Sequence, residues 1–398
     1  MLQISRRAAQ IAPSATLAID ARAKALKAEG KDVIGFGVGE PDFDTPAYVR
    51  DAAHQAIEAG KTRYTPVAGT LSLRKKIAEK FLRDNGLVYE PSEIIVSSGA
   101  KQSIYTALCA LVDEGDEVLI PSPYWVSYPE MVKMAGGVPV FVPCRHEDGF
   151  RVRPEEIARR VTGRTKALLL NSPSNPNGCV LPRKTLEEIA AIAVEKGFYV
   201  ISDEIYEKLV YDGCEHVSIA SLGEKIKAQT VVVNGASKAY AMTGWRIGYA
   251  GGPAQIVKAM TAFQSHSSSN ACSVSQYAVE AALSGGEEEL ADMVRAFDAR
   301  RRLICRLIDE TPGLAADLPE GAFYVMMDVR AALGKRCEGV TIESSHDFAS
   351  LLLEKKCVAV VPGEAFGEAG FVRLSYAVGE DKIREGVRRM AEFMASLT

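Results

Sequence analysis

VVVNGASKAYAMTGWRIGYAGG, residues 231–252, begins with three consecutive valines and ends in a second apolar run, RIGYAGG. Val231–Val233 reads as a strand buried on both faces, and 246–251 reads as another. Between them Lys238 sits beside Ser237 and Ala239, with Arg246 further along the same link. A lysine desolvated by its neighbours has a lowered pKa and becomes a nucleophilic amine. A guanidinium nearby offers a two-pronged clamp for phosphate or carboxylate.

The same texture extends on both sides. Short apolar runs at 93–98, 116–121, 138–143, 165–171, 198–203 and 230–234 read as strands, and 100–113, 127–136 and 183–197 carry helical periodicity. Nearly continuous apolar strands alternating with helices imply a parallel sheet covered on both faces. The expected fold class is α/β, with residues 48–290 forming one doubly wound domain. From 291 to 398 a long charged helix precedes strand-like GAFYVMMDV, VAVVPGEAFG and FVRLSYA and two further helices, which suggests a smaller α+β unit. Residues 1–47 are expected to join that unit.

Composition narrows the function. The chain has 398 residues, 47% hydrophobic and 25% charged, with a net charge of −4. That balance argues against nucleic acid or an anionic membrane as partner. No run of about 18 apolar residues is present, and the N-terminus has no apolar core of the signal-peptide kind. The expected location is the cytoplasm. Eight cysteines, none in a C-x-x-C pair, fit reduced thiols better than a disulfide framework. The five histidines lie far apart and form no metal-ligand motif, so no metal is expected.

In an open parallel sheet, ligands gather at the carboxyl ends of the strands. After EIIVSS come Gly99, Ala100 and Lys101, opening a helix whose N–H groups suit an anion; a plain tight turn reads the same way. After DEVLIP comes Trp125, a flat partner for a ring or a core aromatic. After TKALLLN comes NSPSNPNG, a rigid turn that fixes Asn175. After FYVIS comes Asp203, followed by Tyr206. A carboxylate there is costly unless paired, with a protonated ring nitrogen or with an ordinary cation. Together with Lys238 these are the groups that pyridoxal 5′-phosphate requires: a Schiff-base lysine, an acid for the pyridine nitrogen, donors for the phenolic oxygen, a stacking partner and a phosphate cradle.

GEPDFDTP, YTPVAGTLSLR, PYWVSYPE, NSPSNPNG, SDEIYE, SKAYAMTGWRIGYAGGP and FVRLSYA resemble the class I aminotransferases, pyridoxal-phosphate enzymes of fold type I. Within that family the chain looks most like the bacterial aspartate aminotransferase branch, some members of which also use prephenate. The resemblance covers nearly the whole sequence. It implies a mainly parallel central sheet with helices on both faces. It gives Lys238 the covalent cofactor link and the proton shuttle, Asp203 the ring nitrogen, and Tyr206 and Asn175 the phenolic oxygen. Trp125 would stack on the ring. Gly99, Ala100, Lys101, Ser237 and Arg246 would hold the phosphate, and Tyr64 would reach it from the partner of a homodimer. Arg373 would clamp the substrate α-carboxylate beside Gly39, Asn175 and Trp125. Ser14, Thr16 and Lys101 would meet a second carboxylate, although PSAT equally suits a helix cap.

Two departures bear on the substrate. Ala12 stands where many prephenate-using relatives carry lysine, and 263–276 is serine-rich. The expected activity is aspartate:2-oxoglutarate transamination by a ping-pong route. The alternatives are a prephenate or broad-specificity aminotransferase, a β-eliminating lyase on the same scaffold, and a regulator that merely senses the cofactor. The last would need a basic DNA-binding module in front of the fold.

Overall fold

The computed structural model describes residues 4–13 and 15–398, with backbone alone for 6, 7 and 15–17. Seven strands form the central sheet: β1 (Ile94–Ser97), β2 (Glu117–Ser122), β3 (Val138–Pro143), β4 (Thr165–Asn171), β5 (Tyr199–Asp203), β6 (Thr230–Gly235) and β7 (Gly248–Gly251). Their order is β1-β7-β6-β5-β4-β2-β3. Alternate residues explain the unbroken apolar runs. Leu169, Ile201, Val231 and Val233 pack under the helices Ala100–Leu111 and Ala254–Ser267. Leu168, Leu170 and Val200 face the opposite way, onto the helix Arg183–Lys196. A strand buried on both sides has no polar face to display.

Within the mainly parallel sheet the exception is β7, which runs antiparallel to both β1 and β6. The link from β6 to β7 contains only a short 3₁₀ turn, Thr243–Trp245. A parallel return needs a longer crossover, usually a helix. The strand expected from 246 also starts late. Arg246 has φ +56°, a left-handed conformation that ends the turn and turns the side chain out of the ladder.

A second sheet orders Val361–Pro362, Phe371–Ser375, Tyr324–Asp328 and Ala315–Ala316. The helices Glu287–Asp309, Ser345–Lys356 and Glu380–Ala395 cover it. Ile34–Gly35 pairs in parallel with Val358–Ala359, and Phe36 is fully buried in this core. The chain then runs past Gly37 and Gly39 toward the carboxyl edge of the large sheet.

One close approach holds that edge together. A β-carbon at Gly248 would lie 2.1 Å from the Ala100 amide nitrogen and 2.3 Å from the Gly99 carbonyl carbon. Both are backbone atoms and cannot swing aside. Gly248→Ala is therefore expected to cost about 2 kcal/mol or more, read as a lower urea midpoint with unchanged slope. An unchanged midpoint would show that the turn after β1 is not fixed against β7.

Candidate active site

Parallel strands end at one edge, and that edge carries the polar residues. In register, Asn171 of β4 lies beside Asp203 of β5. The Asn171 amide donates to the Asp203 carbonyl at 2.9 Å, and its Oδ1 accepts from the Asn175 amide at 2.8 Å. The NSPSNPNG turn is thus tied to the end of β5. A cavity of about 290 Å³ opens here, lined by Lys238, Asp203, Tyr206, Asn175, Trp125 and Arg373 among others.

Asp203 is 4% exposed. The Tyr128 hydroxyl donates to its Oδ2 at 2.7 Å, and the Ile205 amide reaches Oδ1 at 3.3 Å. Burial pushes its pKa up to about 6, against the pull of those two donors. Lys238 donates to the Gly39 carbonyl at 2.7 Å. Burial drives its amine down to about 8, with Glu40 opposing and Arg246 and Arg373 reinforcing the fall. The side chain retains some accessible surface; that surface faces the cavity, so enclosure by protein governs its titration.

Arg373 comes from the other sheet and is 2% exposed. It donates to Asn175 Oδ1 at 3.0 Å and to the Gly37 carbonyl at 2.5 Å, while its buried Nε has no partner. Its guanidinium lies 4.5 Å from the Tyr324 ring centre and 4.9 Å from that of Phe366. The Tyr206 and Tyr324 hydroxyls are hydrogen-bonded at 2.9 Å. Among the described residues no carboxylate forms an ion pair with Lys238, Arg373, Arg246 or Lys101.

At the mouth, Gly99 (φ +87°) caps the helix that begins at Ala100, and a β-carbon there would strike the Arg246 guanidinium. Ser237, Lys101 and Arg246 line the same cavity. Lys101 sits 4.7 Å from the Trp125 ring centre, and burial and Arg246 lower its pKa. A helix N-terminus, a hydroxyl and two cations thus line one cavity, a setting that suits an anion.

Most of the expected residues come together. Tyr64 does not: it is 91% exposed and lines no part of this cavity. Ser14 and the Thr16 side chain lie outside the described residues. None of 263–276 lines the cavity; Gln264 instead is buried and fastens the end of β1, accepting from Ser97 and donating to the carbonyls of Val67 and Val96. Sequence reasoning missed Tyr128, Asn171, Tyr324 and Asp20, all of which face the cavity. Tyr128 could have been found one helical turn beyond Trp125; Tyr324 carries no signal beyond a strand pattern. A larger neighbouring cavity of about 620 Å³ shares Lys101 and Arg246 but none of Asp203, Lys238 or Arg373.

Residues 31–390 match the family described as aminotransferase class I and II. The chain belongs to the class I and II aminotransferases. It is 49% identical over 394 residues to an aspartate aminotransferase of Geobacillus stearothermophilus, spanning 99% of both chains. It is 45% identical over 397 residues to an aspartate/prephenate aminotransferase of Nitrosomonas europaea, covering 99% of this chain and all of the other. The crystal structure of the Rhizobium meliloti aspartate aminotransferase superposes with a TM-score of 0.97, at 44% identity over all of both chains. The aminotransferase is pyridoxal-phosphate-dependent and adopts fold type I, with the mainly parallel sheet described above.

The cavity fits that cofactor. An acid and an amine of lowered pKa line a shared space with two further cations and a helix N-terminus, and a buried guanidinium keeps its Nε–H unpartnered. Two predictions follow from the titrations. Capture of pyridoxal 5′-phosphate by the cofactor-free aminotransferase is expected to quicken as pH rises through about 8, because only the unprotonated amine attacks; the visible absorbance gives the rate, and a flat profile from pH 6.5 to 9.5 would contradict it. Asp203 titrates higher folded (about 6) than its usual 3.8. Its contribution to stability is therefore fully present below about pH 3.8 and is lost as pH rises through 6. Asp203→Asn should raise the stability of the cofactor-free protein at pH 7.5 by on the order of 1–3 kcal/mol, with the gain vanishing near pH 4 in urea titrations.

Proposed function

We propose that the aminotransferase moves amino groups between aspartate and 2-oxoglutarate by a ping-pong route. The observation that carries this is Arg373, a buried guanidinium with an unpartnered N–H and no carboxylate of its own. Leaving a buried cation uncompensated is expensive, and an amino-acid carboxylate relieves it with two charge-assisted bonds. Ser14, Thr16 and Lys101 are the groups assigned to a second carboxylate, which selects aspartate and glutamate. The names of the Geobacillus and Rhizobium relatives support the same choice.

When bound, the cofactor supplies an electron-accepting ring that stabilises negative charge at the substrate α-carbon. The protein does the rest. Arg373 and Asn175 fix the carboxylate end, so that the α-carbon faces Lys238. Lys238 Nζ takes the α-proton and later returns one, its lowered pKa suiting base work near neutrality. Asp203 holds a proton at the ring nitrogen, oriented by Tyr128. Tyr206 and Asn175 would donate to the phenolic oxygen, and Trp125 would stack on the ring. Gly99, Ala100, Lys101, Ser237 and Arg246 hold the phosphate. Tyr64, exposed in its own chain, completes the phosphate site of a partner in a homodimer.

The same proposal divides the chain into a large domain, 48–290, and a small one made of 1–47 with 291–398, supported by core clusters centred on each sheet that meet through Tyr206 and Phe371. It places the enzyme in the cytoplasm, supported by eight free cysteines. Among the described residues no helix is long and apolar enough to cross a membrane. A second reading, prephenate as acceptor, is favoured by the name of the Nitrosomonas relative and opposed by Ala12.

The test is a set of half-reaction rates for aspartate, glutamate, tyrosine, alanine and prephenate. A dicarboxylic substrate should exceed alanine by at least tenfold, and a smaller margin would defeat the assignment. Arg373→Leu should lower kcat/KM at least about 100-fold for every amino acid, and Lys238→Ala should abolish turnover. Pyruvate release without an oxo acid would instead identify a lyase.

A further inference from the structure

Behind Asp203, on the side away from the cavity, lies a buried polar cluster that the reaction scheme does not use. Glu204 is 1% exposed. Its Oε1 accepts from the Ser202 hydroxyl at 2.8 Å and the Ser218 hydroxyl at 2.7 Å. Its Oε2 is 3.1 Å from His216 Nε2. The carboxylate can only accept, so the imidazole Nε2–H donates. His216 Nδ1 is buried without a partner. Glu207 joins from the next turn, where Lys80 and Asn85 occupy its two oxygens. Glu204, Glu207 and His216 lie close enough to share a metal, but Lys80 already supplies the cation there.

The backbone gives the cluster its reach. The Glu204 amide donates to the Val233 carbonyl at 2.9 Å, and its own carbonyl accepts from Glu207 at 3.0 Å. Glu204 is thus the fixed point of the turn from Asp203 to Tyr206, and successive side chains at the strand end point to opposite sides. The loop bearing His216 and Ser218 is otherwise remote from the cavity.

We propose that the Glu204–His216 pair is the positioning device for Asp203 and Tyr206, anchoring from behind the turn that presents both to the cofactor. Neither residue touches substrate or cofactor. Their action is to hold Asp203 in line with the ring nitrogen and Tyr206 in reach of the phenolic oxygen. The charged and titratable groups around the pair are Asp203, Tyr128 and Lys238 on the cavity side. On the far side they are Glu207, Lys80, Asp84, Lys208 and Tyr89. The inference rests on the assignment of Asp203 to the cofactor's ring nitrogen.

The test uses four variants as holoenzymes: His216→Leu, His216→Gln, Glu204→Gln and Asp203→Asn. A Gln amide can replace the Nε2–H donor, whereas Leu cannot. His216→Leu and Glu204→Gln should each weaken binding of pyridoxal 5′-phosphate at least tenfold. Both should lower kcat at least tenfold, with KM for aspartate within about threefold. Glu204→Gln should also shift downward the pH midpoint of the bound cofactor's visible absorbance, because a carboxylate that favours nearby positive charge is gone. His216→Gln should restore affinity and kcat to within threefold of the parent. If His216→Gln is as impaired as His216→Leu, or if His216→Leu and Glu204→Gln bind the cofactor as the parent does, the proposal is overturned. If either variant fails to fold, Ser218→Ala, which removes one Glu204 donor, should give a weaker loss of the same kind, and no loss would overturn it. Asp203→Asn separates the two levels. Should it leave cofactor affinity and absorbance unchanged, the assignment of Asp203 fails; should it alter both while Glu204→Gln alters neither, only the positioning role fails.

Discussion

Three ionisable groups, Asp203, Lys238 and Arg373, are held out of water around one cavity, and no ion pair among the described residues joins any of them to another. The cost of desolvating charge is the constraint from which the rest of the architecture follows. It accounts for the direction of all three pKa shifts, since each group is pushed toward its neutral form. It accounts for the hydrogen bonds that do exist, from Tyr128 to Asp203, from Lys238 to Gly39 and from Arg373 to Asn175 and Gly37. Those partners are neutral, so they orient the charges without cancelling them. The field remains available to an anionic amino acid and a phosphorylated cofactor.

Holding uncancelled charges in place needs a rigid surround, and the two sheets provide it from different directions. The large sheet supplies Asp203 and Asn171 from adjacent strand ends, in register. It supplies the helix N-terminus at Ala100 from the turn wedged against Gly248. The smaller sheet supplies Arg373 and Tyr324. Arg246 lies beside Gly99, and its left-handed backbone stands just before the start of β7.

The residues legible in the sequence were those whose place is set by local pattern. Apolar runs end where polar residues begin, so Asp203, Asn175, Lys238 and the Gly99–Lys101 turn could be assigned to one sheet edge before any coordinates. The limits are equally physical. Strand direction depends on whether the link holds a crossover helix, and 236–247 reads as a link of either kind, so the direction of β7 was not legible. Tyr324 looks like any core aromatic, because its hydroxyl acquires meaning only beside Tyr206. Asp20 lies on a helix whose periodicity does not reveal what its polar side faces. The serine-rich 263–276 suggested a specificity region, but its buried glutamine Gln264 serves the backbone of β1 and the segment before it.

The hydrogen bonds that close the cavity join residues remote along the chain. Arg373 reaches Gly37 across 336 positions, Lys238 reaches Gly39 across 199, and Asn175 meets Arg373 across 198. Such contacts form late, because long loops must be closed before they yield anything. A chain growing from its N-terminus contains the lysine and the aspartate long before it contains the guanidinium. The bonded set of Arg373, Asn175 and Gly37 therefore belongs only to the nearly finished polypeptide, and its assembly marks the moment at which the two ends of the molecule have found each other.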